Sequence, residues 1–196
     1  MAKSGKPARS GDKAYWILDK QQIACLTSVP RVEILDWLAS AGPQSVSELA
    51  ASLDRQPSSL YHHLQKMLDV GLVEEAGSQT VYRRTEKLYK TPSRRMRLKR
   101  ALSDGDHDPL MARSVTAMCN QFQRDFASGL ANPRAKRSGQ YRDLGFYRFV
   151  GRPSADGLKE VNKHLDAIAE ILWTDQDPAR PAVSLGWIMA PPKREN

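Results

Sequence analysis

The chain has 196 residues, 40% apolar and 27% charged, which suits a soluble globular protein of one large domain or two small ones. No apolar run approaches the roughly 18 to 20 residues that span a bilayer. The formal charge of +8 is lopsided: residues 1–100 hold 17 Lys/Arg against 10 Asp/Glu, and residues 101–196 hold 13 against 12. A basic first half asks for an anionic partner, nucleic acid before an anionic membrane, because no basic helix with an apolar face left over for lipid is evident.

Residues 1–12 are Lys, Arg, Ser and Gly without the apolar stretch of a secretory signal, and are expected to be a disordered basic arm. Residues 13–28 read as one helix, broken or continuous. Pro30 suits the first turn of the next helix, whose face is set by Val32, Leu35 and Leu38 and which stops at Gly42-Pro43. Ser45 and Glu48 fit a capping box that opens a short helix through Leu53. Pro57 opens another, ending at Gly71. A hairpin is expected next, with one strand at 72–76, a turn at Gly77-Ser78 and a return strand at 80–85. Residues 86–108 look like a linker with a helical turn near Met96–Leu102.

A long helix from about Pro109 to Leu130 carries Met111, Val115, Met118, Phe122, Phe126 and Leu130 at steps of 4, 3, 4, 4 and 4. Such a stripe can pack on its own domain or on a second copy; the dimer is favoured. Residues 145–190 then read as strand, helix, strand. The helix is marked by Leu158, Val161, Leu165, Ile168 and Leu172, and the strands by Phe146–Val150 and Val183–Ala190. The expected class is mainly α with a small β component. A winged helix-turn-helix domain spans 13–100, and a C-terminal dimerisation or effector region spans 101–196.

The helix at 57–71 has two distinct sides. At about 100° per residue, Leu60, Leu64, Met67 and Leu68 share one side, and Ser58, Ser59, His62, Gln65 and Lys66 share the other. Tyr61 and His63 sit on the borders. A solvated polar face is the simpler explanation for an isolated helix. Here a capped helix and tight turn precede it and a hairpin follows. Thr80 to Arg100 then holds nine Lys/Arg against Glu86 alone. Hydroxyls, an amide, an imidazole and an amine on a helix of groove width, flanked by cations, suit base edges and phosphates. His63 either touches a phosphate or is a structural histidine; its border position favours the second.

The run VPRVEILDWLASAGPQSVSELAASLDRQPSSLYHHLQKMLDVGLVEEAGSQTVYRRT, about residues 29 to 85, resembles the winged helix-turn-helix of ArsR-type bacterial regulators, in the branch whose recognition helix reads LYHHL and is followed by GLV. The resemblance implies a cytoplasmic homodimer that binds double-stranded operator DNA and usually represses transcription. The recognition helix, 57–71, would lie in the major groove, and the wing, 72–85, on the backbone or minor groove. The candidate DNA-binding set is Gln56, Ser58, Ser59, Tyr61, His62, Gln65, Lys66, Arg83 and Arg84. Metal-sensing members carry a cysteine pair in the preceding helix. Here that helix is SVSELAASL, so metal sensing is not carried over.

Cys25 and Cys119 lie far apart with no ligand spacing, and read as reduced thiols. No cofactor is expected. Tyr141, Asp143, His164 and Asp166 are the clustered candidates for catalysis, but they form no nucleophile–base pattern, so no catalytic residue is assigned. Trp173, Trp187, Tyr147 and Phe149 read as core before they read as the lining of a small-molecule effector pocket. The competing function is a protein-interaction module built on a winged-helix scaffold.

Overall fold

The computed structural model describes residues 13–17, 19–81, 83–98, 108–177 and 179–191. The basic arm at 1–12 lies outside them.

A two-residue strand, β1 (Tyr15–Trp16), comes first, followed by helix α1 (Lys20–Cys25), whose N-cap Asp19 accepts from the amides of Gln21 and Gln22. The expected helix at 13–28 therefore begins only after Asp19. Tyr15 and Trp16 pair in parallel with Met96 and Arg97, which form strand β5 (Met96–Arg97). A cap that starts a helix in mid-segment and a distant strand partner together override the local apolar pattern. The same pairing makes Met96 and Arg97 a strand where a helical turn was expected.

Helix α2 (Val29–Ala41) carries Pro30 in its first turn and ends at Gly42, whose φ of 84° suits glycine. Strand β2 (Gln44–Ser45) leads into α3 (Val46–Ser52). The capping box is present in full: the Glu48 amide donates to the Ser45 hydroxyl oxygen at 3.2 Å, and the Ser45 amide donates to the Glu48 carboxylate at 2.8 Å. That reciprocal pair satisfies two otherwise orphaned donors. Helix α4 (Pro57–Asp69) packs against α3 and is followed by strands β3 (Glu74–Val81) and β4 (Arg84–Lys90). The three-stranded sheet runs β2-β4-β3, with both pairs antiparallel.

The hairpin is longer than the sequence suggested. Gly77 lies within β3, at a register shift between Glu75 and Ser78, and its φ is 92°. A left-handed glycine serves a bulge as readily as a turn, which explains the misplaced turn. The chain reverses at Arg83, which has φ 67°, just before the paired Arg84.

Helix α5 (Asp108–Ala131) returns to the domain. Its first turns bury Met111, Ser114 and Ala117 against α1 and α2, and the Ser114 hydroxyl donates to the Ile23 carbonyl at 3.2 Å. The core runs from Ile17 to Ala117, with Ile23, Ile34, Leu38, Leu60, Met67 and Leu72 sealed from solvent. The long helix thus packs on its own domain through its first three turns. Beyond them, Phe122, Phe126 and Leu130 emerge from that core. Helix α6 (Ala155–Thr174) matches the expected amphipathic helix and is capped by Ser154. The flanking strands expected at Phe146–Val150 and Val183–Ala190 are not formed; both runs are irregular.

Candidate nucleic-acid interface

The helix-turn-helix is built by α3, the turn at 53–56 and α4. Asp54 takes φ 50° in that turn, and the Arg55 amide donates to the Ala50 carbonyl at 2.9 Å, folding the chain tightly between the helices. The Arg55 guanidinium closes on Glu33 of α2, both largely buried, and so fixes the turn to the core. Leu60, Leu64 and Met67 hold α4 down, all three in contact with the central cluster.

With that side sealed, the opposite side is open. Gln56, Ser58, Ser59, Tyr61, His62, Gln65 and Lys66 are all exposed, Tyr61 at 58%. The C-terminal half does not cover them. Gln56 is the N-cap residue but makes no side-chain cap, and its carbonyl accepts from the Ser59 amide at 3.0 Å and from the Ser59 hydroxyl at 2.8 Å. The amide nitrogen of Gln65 donates to Asp69 one turn on, at 2.8 Å, which fixes the side chain along the helix. Lys66 forms no ion pair among the described residues.

His63 turns inward. It is half-buried, and its Nδ1 is enclosed with no hydrogen-bond partner. Burial first, then the positive charges of Arg31, His62, Arg55 and Lys66, push its pKa below the usual histidine value. A neutral imidazole wedged at the edge of the core is the structural role that its border position suggested. Cys25 is also buried, its Sγ 3.9 Å from the Lys66 carbonyl, and burial raises its thiol pKa; such a thiol is a poor nucleophile.

The hairpin sorts the basic residues that the sequence presented as one run. Arg83, at the turn, and Arg84 beside it are exposed and form no ion pair among the described residues. Lys87 instead pairs with Glu75 at 2.7 Å, and Lys90 with Glu74 at 3.0 Å. Arg95 pairs with Glu170 of α6 at 2.7 Å, and Arg97 lies 4.6 Å from the centre of the Trp173 ring. Lys99 and Arg100 lie outside the described residues. Of the nine cations, Arg83 and Arg84 stand exposed without an ion pair at the wing tip, Lys87, Lys90, Arg95 and Arg97 serve the protein itself, and Arg94 is half-buried beside Gly42. The partners Glu74 and Glu75 were visible in the sequence, but their role depends on where the hairpin turns.

Among the described residues there is no group of three or more His, Cys, Asp or Glu side chains placed to hold a metal. No described helix is long and apolar enough to cross a membrane.

Residues 31–76 match the model of a helix-turn-helix domain family. That segment runs from α2 through α3 and α4 into β3. No curated protein matches the chain. Among solved structures, a double mutant of ZitR from Lactococcus lactis in its apo form is similar at 15% identity and a TM-score of 0.30, over 74% of this chain and 82% of that one. A second structure of that ZitR mutant is similar at 14% identity and a TM-score of 0.28, over 72% of each chain. The helix-turn-helix of this chain therefore rests on the matched segment and on the geometry of α3 and α4.

Proposed function

We propose that this chain is a sequence-specific DNA-binding transcriptional regulator, acting as a homodimeric repressor. Its α4 enters the major groove and its wing lies on the backbone or minor groove. The observation that carries this reading is the division of α4. Its apolar side packs into the core, Leu60, Leu64 and Met67 sealed and Leu68 half-buried, yet the polar groups on the other side are uncovered, beside a hairpin whose tip holds two arginines with no ion pair among the described residues.

The roles follow from chemistry. Gln65, Ser59 and Ser58 read base edges, because amides and hydroxyls discriminate donor and acceptor patterns in the groove. The open N-terminus of α4, with Gln56 and the first free amides, meets a phosphate. Lys66, His62, Arg83 and Arg84 set position and supply affinity through phosphates. Tyr61 contacts sugar or a thymine methyl. Repression and ArsR-like behaviour are supported by the sequence resemblance. A dimer is supported by the exposed Leu130 of α5 and by the operator geometry, since helix-turn-helix proteins of this kind read two half-sites with two-fold symmetry. The proposed protein works in the cytoplasm, and any small-molecule effector acts through residues 101–196.

The test is selection of bound sequences from a random duplex pool. The expected result is a palindromic site whose half-sites lie about one helical turn apart, 10 to 10.5 base pairs. A pool that emerges unenriched, with no retarded duplex at low salt, would replace this reading with that of a protein-interaction module.

A further inference from the structure

Among the described residues, nothing beyond Ala117 contributes a fully buried apolar side chain. Helix α6 has a clean apolar stripe, Leu158, Val161, Leu165, Ile168 and Leu172, yet none of it is fully buried: Leu158, Val161 and Ile168 are exposed, and Leu165 and Leu172 half-buried. The runs on either side are equally bare. Phe146 is 81% exposed and Phe149 86%, and Val183, Leu185, Trp187 and Met189, alternating along the chain, stand about half in solvent. The large apolar side chains from 146 to 189 present roughly 1,500 Å² to water, taking about 200 Å² as the full surface of each. The largest apolar patch of an ordinary monomer is about 300 to 600 Å², and a stable complex buries about 800 Å² per partner.

The backbone makes the same point independently. Residues 145–153 and 181–191 form no backbone–backbone hydrogen bond among the described residues. Their aromatic and β-branched content and the period-two pattern of 183–189 are those of strands. Both runs are seated on one flank of α5. Phe146 meets Phe126 edge-on at 5.7 Å, and Gly186 lies so close to Phe122 that any side chain at 186 would strike the ring. Phe122 and Phe126 are one turn apart, about 6 Å along the helix axis, not far from the spacing of paired strands.

We propose that residues 145–150, α6 and residues 183–189 form an arm that docks on the arm of a second copy of this chain. The two runs become strands of an intermolecular sheet, and the stripe of α6 covers it. The second copy is the fitting occupant for three reasons. The exposed area is what a symmetric, obligate pairing consumes rather than what a small ligand covers. Residues 101–196 are nearly neutral, so two copies meet without repulsion and a charged partner finds no field to follow. The patch is also continuous with Phe122 and Phe126 of α5. The inference deepens the dimer part of the function proposed above, and does not depend on DNA binding.

The test uses the full chain in sedimentation velocity and hydrogen exchange across a dilution series. Amides 146–150 and 184–189 are expected to gain protection, by at least about tenfold in exchange rate, as dimer replaces monomer. Phe149→Glu should weaken dimerisation by at least about tenfold while leaving the far-ultraviolet circular dichroism and the melting of the head unchanged, and Phe149→Leu should restore it. Equal protection at every concentration would mean the arm closes on its own chain and overturns the proposal. So would free exchange in the dimer, protection only on adding anionic vesicles, or a chain that stays monomeric. Binding of a single half-site duplex to Phe149→Glu is scored separately. Absence of duplex binding by the unaltered dimer counts against the DNA reading alone.

Discussion

The sorting of basic residues at the wing makes a quantitative prediction about salt. Each phosphate neutralised by Lys or Arg releases counterions and contributes about 0.9 to the slope of log affinity against log salt. Between 50 and 200 mM salt that is about 3.5-fold per contact, and about 12-fold for two. Arg83 and Arg84 are exposed and form no ion pair among the described residues, so replacing both with Ala should flatten the slope by about 2 for each protomer bound. Lys87 and Lys90 already face Glu75 and Glu74 at 2.7 and 3.0 Å. To reach a phosphate, each must leave its carboxylate partner. Lys87→Ala and Lys90→Ala together should therefore change the slope by less than about 0.5, although they remove the same formal charge. Fluorescence anisotropy of a labelled duplex across that salt range measures both. If the lysine pair flattened the slope as much as the arginine pair, the ion pairs of the hairpin would have no bearing on its DNA contacts, and the reasoning would fail.

Arg83→Gly relieves a left-handed backbone, so it should gain stability of up to about 1 kcal/mol while losing one phosphate contact, measured by urea unfolding beside anisotropy. Ser45→Ala removes the capping hydroxyl from the Glu48 amide and should cost about 1 kcal/mol, a melting shift of about 2 to 4 °C; an unchanged midpoint would deny the cap any energetic role. The pKa of His63 is depressed in the folded chain, so the unfolded chain binds the extra proton first, and stability should fall as pH drops below the ordinary histidine value. His63→Gln should weaken that dependence, and identical urea midpoints against pH for the two proteins would refute it.

What could be read in the sequence was local. Ser45 and Glu48 announce their helix because the interaction spans three residues. Leu60, Leu64 and Met67 announce the buried side of α4 because helical spacing alone brings them together. Features that depend on distant partners were misread. Tyr15 and Trp16 look helical until Met96 and Arg97 arrive beside them. Gly77 looks like a turn until the ladder shows Ser78 opposite Lys87 and the reversal at Arg83. The candidate DNA-binding set on α4 was legible for the same local reason, since one helical period places Ser59, His62 and Lys66 on one side. The value of each wing cation was not, because Lys87 and Lys90 acquire their carboxylates only through the register of the hairpin.

That distinction also explains the unequal completeness of the two halves. The head closes its core with residues from Ile17 to Ala117, and α5 supplies the last of them. Its helix-turn-helix needs nothing further to be held in place. Among the described residues, the contacts of α6 and the residues after it with the head include Glu170 with Arg95, Trp173 with Arg97 and Arg95, and Gln176 with Ser40 at 3.4 Å. Contacts of that kind orient a helix end but bury little apolar surface, and an exposed ion pair adds at most about 1 kcal/mol. The conformational cost of ordering twenty helical residues is larger, since each fixed residue costs about 1 to 2 kcal/mol before packing offsets it. A helix with no fully buried residue and three of five stripe residues exposed meets little of that cost from its own chain. Its stability must come from whatever covers it, so the order of α6 should rise with protein concentration while that of α4 does not.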